Sequence, residues 1–373
     1  MNIRFMGSLL TNYALTGDVM FKDKAAELGK RMLPAFETDT GIPKSLINLH
    51  TGAIRNYGWA GSSCSILSEI GTMHLEFSYL SDITGNPVFR EKVERVRQKL
   101  KDAVKPKGLY PNYIHPQTGK WGSHHMSLGA LGDSFYEYLL KAWIQSGGED
   151  VEAREMYEEA IAAVVKHMVF RSLEGLLYLS DLRFDKPDHK MGHLACFAGG
   201  MFALGAKTIK NEKSNEYMEI AKNITNTCHE SYDRTATKLG PEVFHFKNNI
   251  QAKAITNGEK YYILRPETFE SYFILWRLTK DPKYREWGWK AVEALERHCH
   301  VEGGFTGISN VDSLDPDKDD VQQSYFLAET LKYLYLLFSD DNLISLDEWV
   351  FNSEAHMLPI KGNPLYRAAP TTS

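Results

Sequence analysis

Five carboxylates in this chain sit at or near the starts of apolar, helix-forming segments: Glu69, Asp133, Glu267, Glu270 and Glu329. One acid at such a place is ordinary, because the unpaired N–H groups of a helix N-terminus favour negative charge. A recurrence beside Phe135, Phe269 and Phe326 is not. Acids gathered next to aromatic rings repel one another and lose hydration unless a cation or a substrate offsets the loss. Paired carboxylates over an aromatic floor suit glycoside hydrolysis: one acid protonates the leaving oxygen, another activates water, and a separation of about 6.5–9.5 Å gives inversion. The remaining acids suit a hard, oxygen-seeking ion such as calcium, held partly through water.

The segment Arg265-Pro266-Glu267-Thr268-Phe269-Glu270-Ser271 is the most informative locally. Proline and glutamate are at home in a first helical turn, yet Arg265 next to Glu267 and Glu270 can also hold a carboxylate ionised as a base. The histidines, including His124, His125, His193 and His356, lack the helical pairing of metal ligands and read as packing or hydrogen-bonding residues. The four cysteines include no CxxC pair, which argues against zinc or thioredoxin-like chemistry. Cys196 and Cys228 could bridge, Cys64 and Cys299 could be buried thiols, and spacing alone leaves both open. One sequon, Asn223-Ile224-Thr225, offers a glycosylation site.

The elements that must position these residues are helices. Apolar helical segments begin near residues 2, 65, 129, 192, 267 and 323, a recurrence of very roughly 60 residues with room for two helices and two loops. Segments such as Asp133–Trp143 and Tyr325–Phe338 are apolar over most of their circumference and so predict burial all round. Their partners, including residues 86–101 and 151–168, carry one apolar stripe and one charged face, as an outer layer would. Two concentric layers predict an all-α (α/α) toroid rather than an open superhelical stack, which needs no inner layer so apolar. Parallel inner helices would bring the acid-bearing starts to one mouth. No linker rich in Pro, Gly or Ser divides the chain, which predicts a single barrel domain over residues 1–360 and a C-terminal tail over 361–373.

Composition excludes other classes. Apolar residues make up 43% and charged residues 24% of the chain, the balance of a folded globular protein rather than a disordered one. The net charge is −5, with 43 Lys and Arg interspersed among 48 Asp and Glu, so nucleic acid is excluded as an expected partner. No apolar run reaches membrane-spanning length, and Met1–Met6 lacks the pattern of a signal peptide.

Five ordered blocks carry a resemblance: Gly132-Asp133-Ser134-Phe135-Tyr136-Glu137-Tyr138, Arg265-Pro266-Glu267-Thr268 with Glu270-Ser271, Ala328-Glu329-Thr330-Leu331-Lys332-Tyr333, Phe338-Ser339-Asp340-Asp341, and Phe351-Asn352-Ser353-Glu354-Ala355-His356. From Asn2 to Ile360 the chain resembles glycoside hydrolase family 47, the class I α-1,2-mannosidases. The resemblance implies an (αα)7 barrel closed by a C-terminal β-hairpin, calcium, and inverting removal of terminal α-1,2-linked mannose from high-mannose N-glycans. By motif position Glu267 would be the base that activates water, and Asp133 would deliver or position the proton. Arg4, Arg265, Glu270, Phe326, Glu329 and Glu354 would line the sugar subsite. The family's calcium-binding threonine is Ser353 here, which offers the same carbonyl and hydroxyl oxygens.

The resemblance also implies a Cys196–Cys228 disulfide, hence an oxidising lumen. Leu131 stands where endoplasmic-reticulum members carry an arginine that restricts branch choice. With Asp319-Asp320-Val321-Gln322-Gln323-Ser324 it resembles the Golgi subgroup, which implies a lumenal, Golgi-membrane setting and broad trimming. Met1 occupies the position just after the family's Phe-Glu, whose Glu is a leading candidate for the general acid. The expectation is therefore a barrel with about six of seven inner helices, impaired or inactive as written, and a membrane contact only through an N-terminal anchor absent from this sequence. The competing expectation is a non-catalytic, mannose-binding relative of lectin type in glycoprotein degradation. A terpenoid-cyclase-like toroid would need Asp-rich magnesium motifs on facing helices, whereas Asp340-Asp341 lies at a helix end.

Overall fold

The computed structural model of the 373-residue chain describes residues 1–61 and 63–370. Helices of two characters alternate along it. The buried set comprises α1 (Gly7–Thr16), α3 and α4 (Leu67–Gly71 and His74–Thr84), α6 (Asp133–Gln145), α8 (Ala198–Ile209), α10 (Glu267–Thr279) and α12 (Lys332–Phe338). Between them run α2 (Val19–Met32), α5 (Val88–Asp102), α7 (Val151–Met168), α9 (Ser214–Asp233) and α11 (Lys283–His298). In α6 almost every residue from Ser134 to Ala142 is buried. In α5 burial is confined to Phe89, Val93, Val96 and Leu100, the i, i+3, i+4 stripe of an amphipathic helix lying on a core. Inner helices pack in chain order, α1 on α4, α4 on α6, α6 on α8, α8 on α10 and α10 on α12, with outer helices wedged against them. The predicted two-layer toroid is thus the observed architecture.

The two ends of the toroid differ. Connections from inner to outer helices are short, at residues 17–18, 85–87, 146–150, 210–213 and 280–282. Gly17 and Gly85 take left-handed φ of 72° and 69° there, the conformation a terminating helix favours in glycine. Connections from outer back to inner helices are long and carry the strands, each only two or three residues in length. All inner helices begin under these long loops, so their N-termini share one mouth.

Three predicted inner helices begin differently from expectation. Asn2–Met6 and Phe326–Leu331 are π-helical before α1 and α12 continue as ordinary helix. The helix predicted from residue 65 opens as a strand pair, Ser65–Ile66 with Tyr113–Ile114, and breaks at Thr72-Met73 between α3 and α4. The break frees the Thr72 carbonyl, which accepts a hydrogen bond from Asn2 Nδ2 at 3.0 Å. The first and last inner segments turn apolar side chains outward: Phe5, Leu327, Leu331 and Tyr335 are exposed.

Within the barrel sits a hairpin, Trp349–Phe351 paired with Met357–Pro359 in the register Trp349↔Pro359, Val350↔Leu358, Phe351↔Met357. Its turn carries Ser353 and Glu354. Residues past 360 pack onto the short-loop end: Tyr366 donates to Asp82 at 2.6 Å and Arg367 Nε to the Ala14 carbonyl at 3.0 Å. Asn223 lies in the middle of α9, with Thr225 fully buried against α8.

The Cys196–Cys228 disulfide ties the 3-10 turn His193–Phe197 to α9 across a separation of 32 residues, while Cys64 and Cys299 are buried free thiols. Cross-linking a loop of this length restricts the unfolded chain by about 3–4 kcal/mol. Cys228→Ser should therefore lower the urea-unfolding free energy by about that amount, with the wild type showing two protected thiols until it is unfolded.

Candidate active site

The mouth gathers acids from separate parts of the chain. Asp133 opens α6 immediately after Gly132, where a side chain would drive a Cβ to 2.1 Å from the Ser127 carbonyl, so only glycine lets the chain enter the helix here. Asp133 Oδ1 accepts from the Ser134 backbone N–H at 2.8 Å. Burial, reinforced by the charges of Glu137 and Glu267, pushes its carboxyl up to about 7. Leu131, just ahead, is held at φ 78° with its carbonyl accepting from Ser68 N–H at 3.0 Å.

Glu267 opens α10 and is treated in the opposite way. Its Oε2 accepts from His193 Nδ1 at 2.7 Å, and with Arg265 also nearby the carboxyl lies below its usual value despite desolvation. Arg265 is gripped by Glu242, Nε to Oε2 at 2.5 Å and Nη2 to Oε1 at 2.8 Å, a bidentate pair that fixes the guanidinium plane. The strand pair Lys190–Gly192 with Val243–His245 brings these two partners in, and His193 N–H donates to the Glu242 carbonyl at 2.8 Å.

The other acids lie deeper. Glu270, one turn along α10, is pushed up to about 8 by burial and by Glu137 and Glu267, although Lys141 Nζ lies 3.9 Å away. Glu329, in the second π-helical segment, is raised well above its usual value by burial and by Glu354, Glu267 and Glu270. Glu354 pairs with Arg4 Nε at 2.9 Å, and Arg4 Nε also lies 3.1 Å from Ser324 Oγ. Glu69 lines a cleft with Arg4, Ser45, Tyr57 and Ser134 and has one buried oxygen without a partner. Asp133, Glu267, Glu270 and Glu329 therefore lie within reach of one another's charge, while Glu69 lines the adjoining cleft. Phe326 is buried with its ring 4.9 Å from that of Phe305.

Sequence reading missed the frame that holds this cluster. Glu76, fully buried on α4, accepts from Asn2 Nδ2 at 2.8 Å, Tyr138 Oη at 2.7 Å and Asn352 Nδ2 at 2.7 Å, joining the first helix, α4, α6 and the hairpin turn. Asn352 Oδ1 in turn accepts from the N–H groups of Glu354 and His356 at 2.9 and 2.8 Å. Lys332 Nζ donates to the carbonyl of Ala355, which sits at φ 55°, at 2.6 Å. Burial pulls Lys332 down to about 8. A charge inside an otherwise apolar helix was the available signal for Glu76, Glu137 and Lys141. Nothing local marked Glu242, whose partner Arg265 lies 23 residues further on, just ahead of α10.

Ser353 is presented by this turn with its N–H 3.3 Å from Tyr138 Oη, and no described residue hydrogen-bonds its hydroxyl or carbonyl. The described residues hold no group of three His, Cys, Asp or Glu side chains placed to grip a metal directly. The arrangement fits an ion bound by the two Ser353 oxygens with water between it and the surrounding carboxylates, which lack enough cationic neighbours of their own.

The Glycosyl hydrolase family 47 model matches residues 1–360. Mannosyl-oligosaccharide alpha-1,2-mannosidase IA of Drosophila melanogaster is 64% identical over 372 residues, covering 100% of this chain and 56% of the relative. Mannosyl-oligosaccharide 1,2-alpha-mannosidase IB of Homo sapiens is 54% identical, covering 98% of this chain and 58% of the relative. The chain thus spans little more than half the length of these curated relatives. The solved α-1,2-mannosidase from Trichoderma reesei superposes with a TM-score of 0.88 at 26% identity, over 96% of this chain and 81% of that one. The fold is that enzyme's (αα)7 barrel, to which the described residues contribute six inner and five outer helical segments.

Removing the Glu76 carboxyl would leave Asn2, Asn352 and Tyr138 with unpaired polar groups in the core. Glu76→Ala should cost about 3 kcal/mol or more of unfolding free energy, and Glu76→Gln less, both read from denaturant titration.

Proposed function

The chain belongs to glycosyl hydrolase family 47, and on that premise we propose that it hydrolyses terminal α-1,2-linked mannose from high-mannose N-glycans with inversion. One observation carries the reading: two carboxyls at one mouth are displaced in opposite directions, Glu267 downward and Asp133 up to about 7. Titratable groups pushed apart by their surroundings divide the acid and base roles between them. Glu267, kept ionised by His193 and Arg265, takes the proton of the attacking water. Asp133 holds a proton near neutral pH and delivers or positions it at the leaving oxygen. Arg4, Glu270, Glu329 and Glu354 meet the sugar hydroxyls, while Arg265 and Phe326 bound the subsite.

Calcium fits at Ser353, where it would supply a fixed positive charge and ordered water against the sugar and the buried acids. The Cys196–Cys228 disulfide supports an oxidising compartment of the secretory pathway. Leu131, in place of an arginine before Gly132-Asp133, supports the Golgi lumen. No helix of the described residues is long and apolar enough to cross a membrane.

Glu267→Gln should lower mannose release from a high-mannose N-glycan by about 10³-fold while calorimetry still detects glycan binding. Full activity in this variant would remove Glu267 from the base role. Binding without release in the unaltered protein would instead favour a lectin-like one.

The raised acids also set a pH dependence. Asp133 and Glu270 lie at about 7 and 8 against ordinary values of 3.8 and 4.5, so the folded chain retains protons that the unfolded chain has lost. Stability must then fall as pH rises through that range. His74, His229 and His356, pulled by burial from 6.5 to about 4, act oppositely, but only below 6.5. Melting temperature without metal should therefore fall between pH 6.5 and 8, and calcium should flatten the fall. A profile unaffected by calcium would take the ion away from this mouth.

A further inference from the structure

Behind Glu267 runs a second hydrogen bond that the hydrolytic reading leaves unused. His193 presents Nδ1 to Glu267 Oε2 at 2.7 Å and Nε2 to the Tyr232 hydroxyl at 2.6 Å. Both rings are buried, His193 at 1% and Tyr232 at 3% exposure. An ionised carboxylate can only accept, so this hydrogen bond exists only while Nδ1 carries a proton. Nε2 then either accepts from the phenol in a neutral ring or donates to it in an imidazolium. Burial holds the Tyr232 phenol well above its usual value, so it keeps a proton to give.

We infer that Tyr232 is a positioning residue for the base: its O–H, donated to His193 Nε2, fixes the imidazole as the neutral Nδ1–H tautomer that donates to Glu267. The proposal rests on the reading of Glu267 as the base and deepens it. The same logic operates wherever the hydrogen bond at one imidazole nitrogen decides which proton the other carries.

Three features hold the Tyr232 ring where it can do this. A Cβ at Gly240 would meet Tyr232 Cε2 at 2.2 Å, so the ring occupies space that only glycine leaves open. The rings of Phe269 and Tyr262 flank it at 5.7 and 6.2 Å. The disulfide joins Cys196, one turn past His193, to Cys228, one turn before Tyr232 on α9, and so braces the two rings against each other. A residue needed only for packing would not require the hydroxyl to meet the ring nitrogen.

Other groups facing Glu267 do not substitute for this donor. Asp133 on α6, Glu270 on its own helix and Glu329 on the last inner segment are carboxyls whose ionisation repels Glu267. Tyr262 and Tyr325 stand nearby as neutral phenols. Arg265 is the cation, and Glu242 engages its guanidinium directly.

The test is Tyr232→Phe, which keeps the ring and removes only the oxygen. Side-chain 15N NMR of this chain labelled at histidine should show His193 protonated at Nδ1 and unprotonated at Nε2. In Tyr232→Phe it should show a mixture of tautomers. In the active protein, the acid limb of the kcat/KM profile should move up by about one pH unit, because Glu267 loses part of its donor. An imidazolium in the wild type, or a variant whose tautomer and acid limb are unchanged, would overturn the proposal. The wild-type spectrum decides the matter if the variant does not fold. A tautomer change in a protein that releases no mannose would uphold the relay while removing the catalytic reading of Glu267.

Discussion

The constraint on which this structure turns is electrostatic: several carboxylates must be brought out of water to one place without neutralising the site or unfolding the chain. Burying an ionised carboxylate is costly unless it is paired or hydrogen-bonded. The fold meets this with unlike partners for each acid. Glu267 has a histidine and a guanidinium, Glu354 has Arg4, Glu137 and Glu270 share Lys141, and Glu76 has three neutral donors. Glu329 forms no ion pair among the described residues and lies beside Glu354, with Lys332, itself pulled down to about 8, as the cation near both.

The asymmetry of the barrel follows from the same demand. Short loops at one end only reverse the chain, and capping glycines suffice for that. Long loops at the other end supply what inner helices cannot, since a helix N-terminus offers N–H groups but no side-chain counter-charge of fixed position. His193 and Glu242 come from one strand pair, and Ser353 comes from a hairpin turn inside the barrel. The two π-helical segments belong to this picture. A wider turn shifts the side-chain phase of a helix, and such insertions are frequent at functional sites. Here the two hold Arg4 on one side, and Phe326 and Glu329 on the other.

What could be read from the sequence, and what could not, divides along physical lines. Helical period and burial character are properties of single segments, so the alternation of inner and outer layers was visible in Asp133–Trp143 and residues 86–101. The acids at helix starts were equally visible. The π-helical openings were not, because one extra residue in a turn leaves the apolar pattern of Phe326–Phe338 almost unchanged. The break at Thr72-Met73 was hidden too, since the donor that satisfies its freed carbonyl, Asn2, is distant in sequence. His193 read as a hydrogen-bonding residue, and it is one, but its partners on α9 and α10 exist only once the long loops have folded. Glu242 carried no signal, because its bidentate grip on Arg265 joins two segments 23 residues apart and belongs to neither alone.

The roles of Asp133 and Glu267 show how far function here is separable from the residues that bear it. Both are carboxylates at the first position of an inner helix, and both are desolvated at the same mouth. The helix N-terminus treats them alike, and so cannot explain why one is lowered and the other raised. The difference comes from neighbours on other elements. Glu267 receives a ring N–H and a nearby guanidinium, whereas Asp133 receives backbone and hydroxyl contacts from Ser134 and the repulsion of Glu137 and Glu267. Ionising Glu267 itself helps to keep the proton on Asp133. The pair is therefore a coupled unit, in which whatever holds His193 against Glu267 also sets the proton on the acid across the mouth.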